Sequence, residues 1–231
     1  MGQGDILLKT ITVQVREDHL EVLARTKPIN ALAELIWNAL DAEATELRVE
    51  FVENDLEGVD IIRIQDNGHG LDYEEALTVF QNLGGSWKRE GMRTREHKRA
   101  LHGKYGKGRF RAFSLGNRVQ WNTVYTRDGQ TLAFSVRGDA ATLGEFQITD
   151  PQPAPDSTPG MCVEIAALSN NVGLLRGVKA LEEVTAIFAL YLRQYPGIRI
   201  VYDGAPIDPA NAEECYTGYL LPEMIMPNGE R

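Results

Sequence analysis

Three polar side chains interrupt an otherwise apolar stretch near the start of the chain. Glu34, Asn38 and Asp41 stand at positions i, i+4 and i+7, so on an α-helix they share one face. A carboxylate and a neutral amide one turn apart could serve as a general base and as a ligand for a hard metal ion. The same pattern would also arise in a surface helix with a solvated polar stripe.

A carboxylate and two glycines follow a run of β-branched residues at 59–64. Asp66 could accept a hydrogen bond from an exocyclic amine, while Gly68 and Gly70 would let a flat ring approach the backbone. Alternatively, Asp66 is a turn-making residue, which is common at strand ends.

A second glycine cluster precedes a helix that we predict at 109–115. Gly103, Gly106 and Gly108 would leave backbone N–H groups and the positive helix end open to phosphate groups. The spacing is not that of a P-loop, and Arg111 breaks a Rossmann pattern.

A basic segment surrounds this glycine cluster in a chain whose net charge is -9. Between Lys88 and Arg111 stand ten basic residues and two acidic ones. Such a concentration suits a polyanion such as a phosphate chain, although a solvated basic loop would look the same. We expect this basic segment to form a long loop. Such a loop is typically a lid or a disordered segment.

Hydrophobic periodicity predicts the elements that must position these residues. Strands are expected at 7–15, 45–52, 59–64, 117–126, 131–137, 144–149, 161–166 and 198–202. Helices are expected at 17–25, from Pro28 through the stretch that contains Glu34, Asn38 and Asp41, and at 72–80, 109–115 and 174–195. The run of strands in the second half indicates an antiparallel sheet.

Composition places the chain among ordinary globular proteins. Its 231 residues are 43% hydrophobic and 25% charged, which permits a sizeable core. The two cysteines lack metal-ligand spacing, and no apolar run approaches the length of a membrane span. We therefore expect a cytoplasmic protein without a membrane partner, with a nuclear or nucleoid-associated location left open.

Together, these motifs resemble the ATP-binding domains of the gyrase, Hsp90, histidine kinase and MutL (GHKL) superfamily, and are most similar to the MutL, MORC and Hsp90-like branches. The resemblance covers roughly residues 20–170, with the motifs in the family's order. It is carried by Glu34-x-x-x-Asn38-x-x-Asp41-Ala42, Asp66-x-Gly68-x-Gly70, Gly103-x-x-Gly106-x-Gly108, and Asn82-Leu83-Gly84 with Lys88.

The resemblance implies the Bergerat fold, an α+β two-layer sandwich with a mixed, mostly antiparallel sheet covered by helices on one face. It implies an ATP-binding domain over residues 1–205. Residues 206–231 would form a C-terminal extension that begins a second, transducer-like domain.

The resemblance also assigns roles to residues. Glu34 would be the general base, Asn38 the Mg²⁺ ligand and Asp66 the reader of adenine, while Lys88 would reach the phosphates from a lid. The full set expected to contact nucleotide is Asn38, Asp41, Ala42, Asp66, Gly68, Gly70, Asn82, Lys88, Gly103, Lys104, Tyr105, Gly106, Lys107, Gly108 and Arg109. One departure is Met161, which stands where the family often has Thr.

The implied function is Mg²⁺-dependent binding of ATP and ADP with slow ATP hydrolysis. Nucleotide would close the lid and drive homodimerisation, so that the domain acts as a conformational switch. One alternative is an ATP-binding module with little hydrolysis in the absence of a following domain that supplies a lysine. Another is a DNA clamp of the MutL or MORC type, whose phosphate contacts would include Arg93, Arg95, Lys98 and Arg99.

Overall fold

The computed structural model describes residues 26–81 and 108–212, the backbone of 8–12, and single residues at 94, 99, 101 and 102. For Gly108 and Arg109 it describes the backbone alone. The helix predicted at 17–25 lies outside the described residues.

Four α-helices and ten strands make up the described part of the chain. The helices are α1 (Pro28–Asp41), α2 (Tyr73–Gln81), α3 (Gly108–Arg111) and α4 (Val178–Gln194). The first five strands are β1 (Leu8–Thr12), β2 (Glu46–Glu53), β3 (Val59–Asp66), β4 (Gly116–Arg127) and β5 (Gln130–Asp139). The others are β6 (Glu145–Thr149), β7 (Gln152–Pro153), β8 (Gly160–Leu168), β9 (Arg199–Tyr202) and β10 (Ala205–Pro206).

All ten strands belong to one sheet. Its order is β1-β6-β5-β4-β8-β3-β2-β9-β10, with the short β7 also paired to β5. Strands β2 and β9 run parallel, whereas the other pairs recorded among the described residues are antiparallel. The sheet is therefore mixed and mostly antiparallel, as predicted.

Among the described residues, one face of the sheet is buried and the other is largely accessible. In β2, Leu47, Val49 and Phe51 are buried while the alternate residues are mostly exposed, and the other long strands show the same alternation. Helix α2 covers this face through Phe80, whose ring packs against Trp121 of β4. Helices α1 and α4 pack on each other and join the same core. This arrangement confirms the α+β Bergerat fold with helices on one face.

Helix α1 is a core helix. Pro28 occupies its first turn, where the missing N–H removes no helical hydrogen bond. Eight of its residues are buried, namely Ala31, Leu32, Ala33, Leu35, Ile36, Ala39, Leu40 and Asp41. The alternative of a solvated surface helix is therefore wrong.

Two helices are shorter than predicted. Helix α4 begins at Val178 because Gly177 has a φ of 85°, and a separate 3₁₀ turn covers Val172–Leu175. Helix α3 ends at Arg111 and continues as a 3₁₀ turn over Ala112–Ser114. The change of winding brings the chain directly into β4.

Strand β10 pairs with β9, and the next residue, Ile207, is buried in the core. The predicted domain limit near residue 205 stays a prediction. No helix in the described ranges is long and apolar enough to cross a membrane.

Candidate active site

The polar face of α1 is where the helix becomes accessible. Glu34 and Asn38 are partly exposed, whereas Leu35, Ile36 and Ala39 between them are buried. A carboxylate and an amide therefore stand one turn apart where the surface of α1 is accessible, a position termed the opening. Neither side chain is part of the buried core.

Glu34 is joined to α3 by an ion pair. The Nη1 group of Arg111 donates a hydrogen bond to Oε1 of Glu34, and the two helices pack on each other. Sequence reasoning missed this partner and treated Arg111 as one of the basic residues of the segment and as a break in a Rossmann pattern. The available signal was its place one turn after Gly108, at the end of the phosphate-binding candidate.

Asp41 has a different environment from Glu34 and Asn38. It is 2% exposed, and its Oδ1 accepts a hydrogen bond of 3.0 Å from the backbone N–H of His102. The ring of His102 stacks on Trp37 with centroids 3.5 Å apart. Asp41 and Trp37 thus hold the chain at residue 102 against α1, next to the predicted glycine loop.

Arg99 is also part of this anchored segment. It is 5% exposed, and its Nη1 donates a 2.6 Å hydrogen bond to the carbonyl oxygen of Ala44. Its backbone N–H donates to Oγ1 of Thr94, which is itself 1% exposed. The prediction that Arg99 contributes to a phosphate-contacting basic surface is therefore wrong, because its guanidinium is used inside the fold.

Asp66 ends β3 on the buried face of the sheet, two residues beyond Ile64. Its Oδ1 accepts a 2.8 Å hydrogen bond from the N–H of Gly68, so the turn-making alternative describes one of its oxygens correctly. Burial raises the pKa of Asp66 to about 6, although backbone N–H groups of Gly68 and Met161 act in the opposite direction. The carboxylate remains a hydrogen-bond acceptor at neutral pH.

Neighbouring backbone atoms leave no room for a side chain at the two glycines after Asp66. A Cβ on Gly68 would lie 2.5 Å from the carbonyl oxygen of Ala42. A Cβ on Gly70, whose φ is +70°, would lie 2.0 Å from the carbonyl oxygen of Val124. These glycines let the turn fit between the end of α1 and β4.

Thr123 is a second residue of this region that the sequence did not single out. It is 2% exposed on the buried face of β4, and its Oγ1 accepts a 2.8 Å hydrogen bond from the N–H of Leu71. In the register of the sheet, Asp66 pairs with Met161, which pairs with Thr123. Met161 stands where the family often has Thr. The hydroxyl of Thr123 lies on the neighbouring strand, at the residue that pairs with Met161. The sequence could have indicated Thr123, because this polar residue occupies an inward-facing position in a strand of alternating burial.

The predicted phosphate-binding set lies partly within the described residues. Asn82, Lys88 and the range 103–107 lie outside the described residues. Gly108 begins α3 and Arg109 follows it in the same helical turn. The described part of the third motif therefore stands beside α1.

The sequence matches a known protein family. The family described as "Histidine kinase-, DNA gyrase B-, and HSP90-like ATPase" matches residues 26–158, which is more than half of the chain. The chain belongs to this GHKL ATPase family. The matched range contains α1, the Asp66 turn, α3 and the central strands, so it carries a GHKL ATP-binding domain.

The GHKL domain is also similar to curated proteins named "DNA mismatch repair protein MutL". The protein from Trichlorobacter lovleyi is 44% identical over 55 residues, which is 24% of this chain and 9% of that protein. The one from Pelobacter propionicus is 47% identical over 55 residues, with the same two shares. The one from Acidobacterium capsulatum is 40% identical over 81 residues, or 35% of this chain and 11% of that protein. The matched segment thus spans about a tenth of each relative.

Proposed function

We propose that this chain is a Mg²⁺-dependent ATPase that hydrolyses ATP slowly and uses the nucleotide as a conformational switch. The observation that carries the proposal is the pair of Glu34 and Asn38 at the opening of a buried helix, held next to α3 in a GHKL domain. Phosphoanhydride hydrolysis needs a positioned water, a metal ion and donors for the phosphates. Each requirement has a candidate in or beside this opening.

Glu34 is the proposed general base. Its side chain is 31% exposed, so water can reach it, and the packed backbone of α1 fixes the position of its Cα atom. A base in this position orients and deprotonates the water that attacks the terminal phosphate.

Asn38 is the proposed protein ligand of Mg²⁺. Its amide oxygen is hard and neutral and lies one turn from Glu34 at the same opening. Mg²⁺ commonly takes few protein ligands and completes its shell with water and phosphate oxygens, so this donor fits the ion. When bound, the ion would neutralise negative charge on the phosphates.

The nucleotide would extend from Asp66 to the glycine loop. We propose that Asp66 accepts a hydrogen bond from the exocyclic amine of adenine, supported by the turn at Gly68 and Gly70 and by the nearby Ala42. The proposed phosphate contacts are Asn82, Lys88, Gly103, Lys104, Tyr105, Gly106, Lys107, Gly108 and Arg109. Asp41 supports them indirectly through its hydrogen bond to His102.

The conformational part of the proposal concerns the basic segment between α2 and α3. Two of its residues, Arg99 and His102, are fastened to the end of α1 by hydrogen bonds. Nucleotide at α1 would therefore be sensed by this segment, which would close over ATP and favour a homodimer.

Calorimetric titration of ATP and ADP with Mg²⁺, combined with a phosphate-release assay, tests the proposal. The Glu34→Gln variant should bind ATP with unchanged affinity and lose at least about 100-fold in turnover, in keeping with the usual contribution of a general base. Asp66→Asn should lose ATP binding. Unchanged turnover in the Glu34 variant would exclude the base assignment, and failure of the wild-type chain to bind ATP would exclude the function.

The conformational step needs a separate measurement. Light scattering should show a dimer with Mg²⁺ and a non-hydrolysable ATP analogue, and a monomer without them. A mass that does not change with nucleotide would exclude the dimerisation step while leaving ATP binding intact.

A second candidate is DNA binding, which the mismatch-repair relatives and the basic segment favour. Neutralising Arg93, Arg95 and Lys98 together should then abolish salt-sensitive DNA binding and leave ATP affinity unchanged. Arg99 is left out of this variant because it is buried. DNA binding that persists in the triple variant would count against the basic segment as the contact.

A further inference from the structure

The ion pair between Arg111 and Glu34 links the proposed base to the helix that follows the glycine loop. The guanidinium Nη1 meets Oε1 of the carboxylate across 77 residues of sequence. The two side chains are 33% and 31% exposed, so the pair stands at the opening and not in the core. An ion pair this accessible contributes at most about 1 kcal/mol to folding.

Arg111 is the last residue of α3, which begins at Gly108, and its guanidinium reaches Glu34 on α1. A guanidinium has five N–H donors in a fixed plane, so one of them can hold Glu34 in a defined orientation.

The carboxylate of Glu34 needs such a partner. A glutamate has three side-chain torsions, and one that is partly exposed would sample several rotamers. A base must stay within about 0.5 Å of its productive position to act efficiently. The ion pair occupies Oε1 and selects one orientation, in which Oε2 is the acceptor that can serve a water molecule.

We propose that Arg111 is a positioning residue for the base Glu34, and that it sets the turnover of this ATPase without contributing to nucleotide affinity. This inference rests on the proposed function, because it assigns Arg111 a task in that reaction. The ion pair contributes little to the free energy of folding. It restricts the orientation of the Glu34 carboxylate, on which the proposed reaction depends.

The test compares Arg111→Ala and Arg111→Lys with Arg118→Ala, which removes an arginine exposed on β4. Arg111→Ala should lower kcat by roughly 10- to 100-fold, a part of what a general base contributes. Its Kd for a non-hydrolysable ATP analogue should stay within about threefold of the wild type. Arg111→Lys should recover part of the turnover, since an ammonium can still donate to Oε1. Arg118→Ala should leave both quantities unchanged.

A double-mutant cycle separates positioning from a direct effect on the phosphates. In the Glu34→Gln background, adding Arg111→Ala should change the residual rate by less than about twofold, because there is no longer a base to hold. An equal loss in both backgrounds would overturn the proposal, since Arg111 would then act independently of Glu34. A large rise in the Kd for the analogue, or a rise in kcat, would overturn it as well.

The outcome for the wild-type chain distinguishes this inference from the proposed function. If the wild type hydrolyses ATP and Glu34→Gln does not, unchanged turnover in Arg111→Ala overturns the role of Arg111 alone. If the wild type binds ATP but turns over no faster than Glu34→Gln, the base role and this inference fall together and ATP binding stands. Should Arg111→Ala fail to fold, Arg111→Lys takes its place in both the wild-type and the Glu34→Gln backgrounds, and an equal loss of rate in the two would overturn the proposal.

Discussion

The carbonyl oxygen of Ala42 accepts a 2.9 Å hydrogen bond from the backbone N–H of His69. This bond fastens the end of α1 to the turn after β3, and so joins the proposed base and metal ligand to the proposed adenine reader. Gly68 completes the contact, because only a residue without Cβ leaves room for the Ala42 carbonyl. The geometry of the site therefore depends on backbone contacts that carry no functional side chain.

Substituting Gly70 with Ala should destabilise the fold strongly. The new Cβ would meet the Val124 carbonyl oxygen at 2.0 Å, in addition to the cost of a positive φ. Gly129→Ala is the matched control, since its φ is +75° and nothing lies within 4 Å of the added Cβ. Urea unfolding should show a loss of about 1–2 kcal/mol for Gly129→Ala and at least about 2 kcal/mol more for Gly70→Ala. Equal losses would show that the turn can move away from β4.

Burial of Asp66 should make ATP binding depend on pH. Because burial raises the pKa of Asp66 to about 6, its carboxyl group becomes protonated below that pH and loses acceptor capacity for an amine. The association constant for ATP should therefore fall as pH decreases from 7 to 5. Isothermal titration at a series of pH values measures this, and an affinity that is flat across pH 6 would contradict the adenine role of Asp66.

The same pKa shift should appear in folding stability. The pKa of Asp66 in the folded chain lies above its ordinary value of 3.8, so this group favours the folded state below pH 3.8 and that contribution is lost as pH rises to about 6. Asp66→Asn removes the cost of burying the charge. Its stability relative to wild type should therefore increase between pH 4 and pH 8, by up to about 3 kcal/mol.

Asp128→Asn is the control for this measurement, because the side chain of Asp128 is 96% exposed. This variant removes a solvent-exposed carboxylate and so measures the effect of losing a negative charge from the surface. A pH-independent difference for Asp66→Asn would show that the carboxyl group titrates normally in the folded chain.

Thr123→Val should weaken the fold although the two side chains have nearly the same shape. The substitution removes Oγ1 as the acceptor for the Leu71 N–H and leaves that group unpaired. An unpaired N–H at this half-buried turn costs up to about 1–3 kcal/mol, which urea unfolding can resolve. Thr126→Val, at an exposed position of the same strand, should stay within about 0.5 kcal/mol of the wild type. Equal stability of the two variants would contradict the proposed role of the Thr123 hydroxyl.

Arg99→Met should destabilise the fold, in contrast to the loss of an exposed arginine. The variant keeps a long side chain but removes the 2.6 Å hydrogen bond to the Ala44 carbonyl. The expected loss is about 1–3 kcal/mol in urea unfolding, since a buried acceptor is left unpaired. Arg118→Met is the control and should show little change. Unchanged stability of Arg99→Met would return Arg99 to the group of residues available for phosphate contacts.

Much of this molecule follows from local sequence pattern. The 3.6-residue spacing around Glu34 and Asn38 predicts α1, and strict alternation predicts strands such as β2 with one buried face. The glycine motifs, with α1, predicted the GHKL family, which the comparison confirms. These features depend on residues close together in the chain, where helix and strand periodicity fully determine which side chains share a face.

Tertiary structure alone decided which of the polar residues meet. Arg111 and Glu34 are 77 residues apart, His102 and Asp41 are 61 apart, and Arg99 and Ala44 are 55 apart. No local pattern distinguishes the buried Arg99 from the other basic residues around it. Their partners depend on how the helices pack on the sheet, which is set by the burial of many apolar residues together. The sequence determined the elements and the family, and the packing of those elements determined the contacts of each charged group.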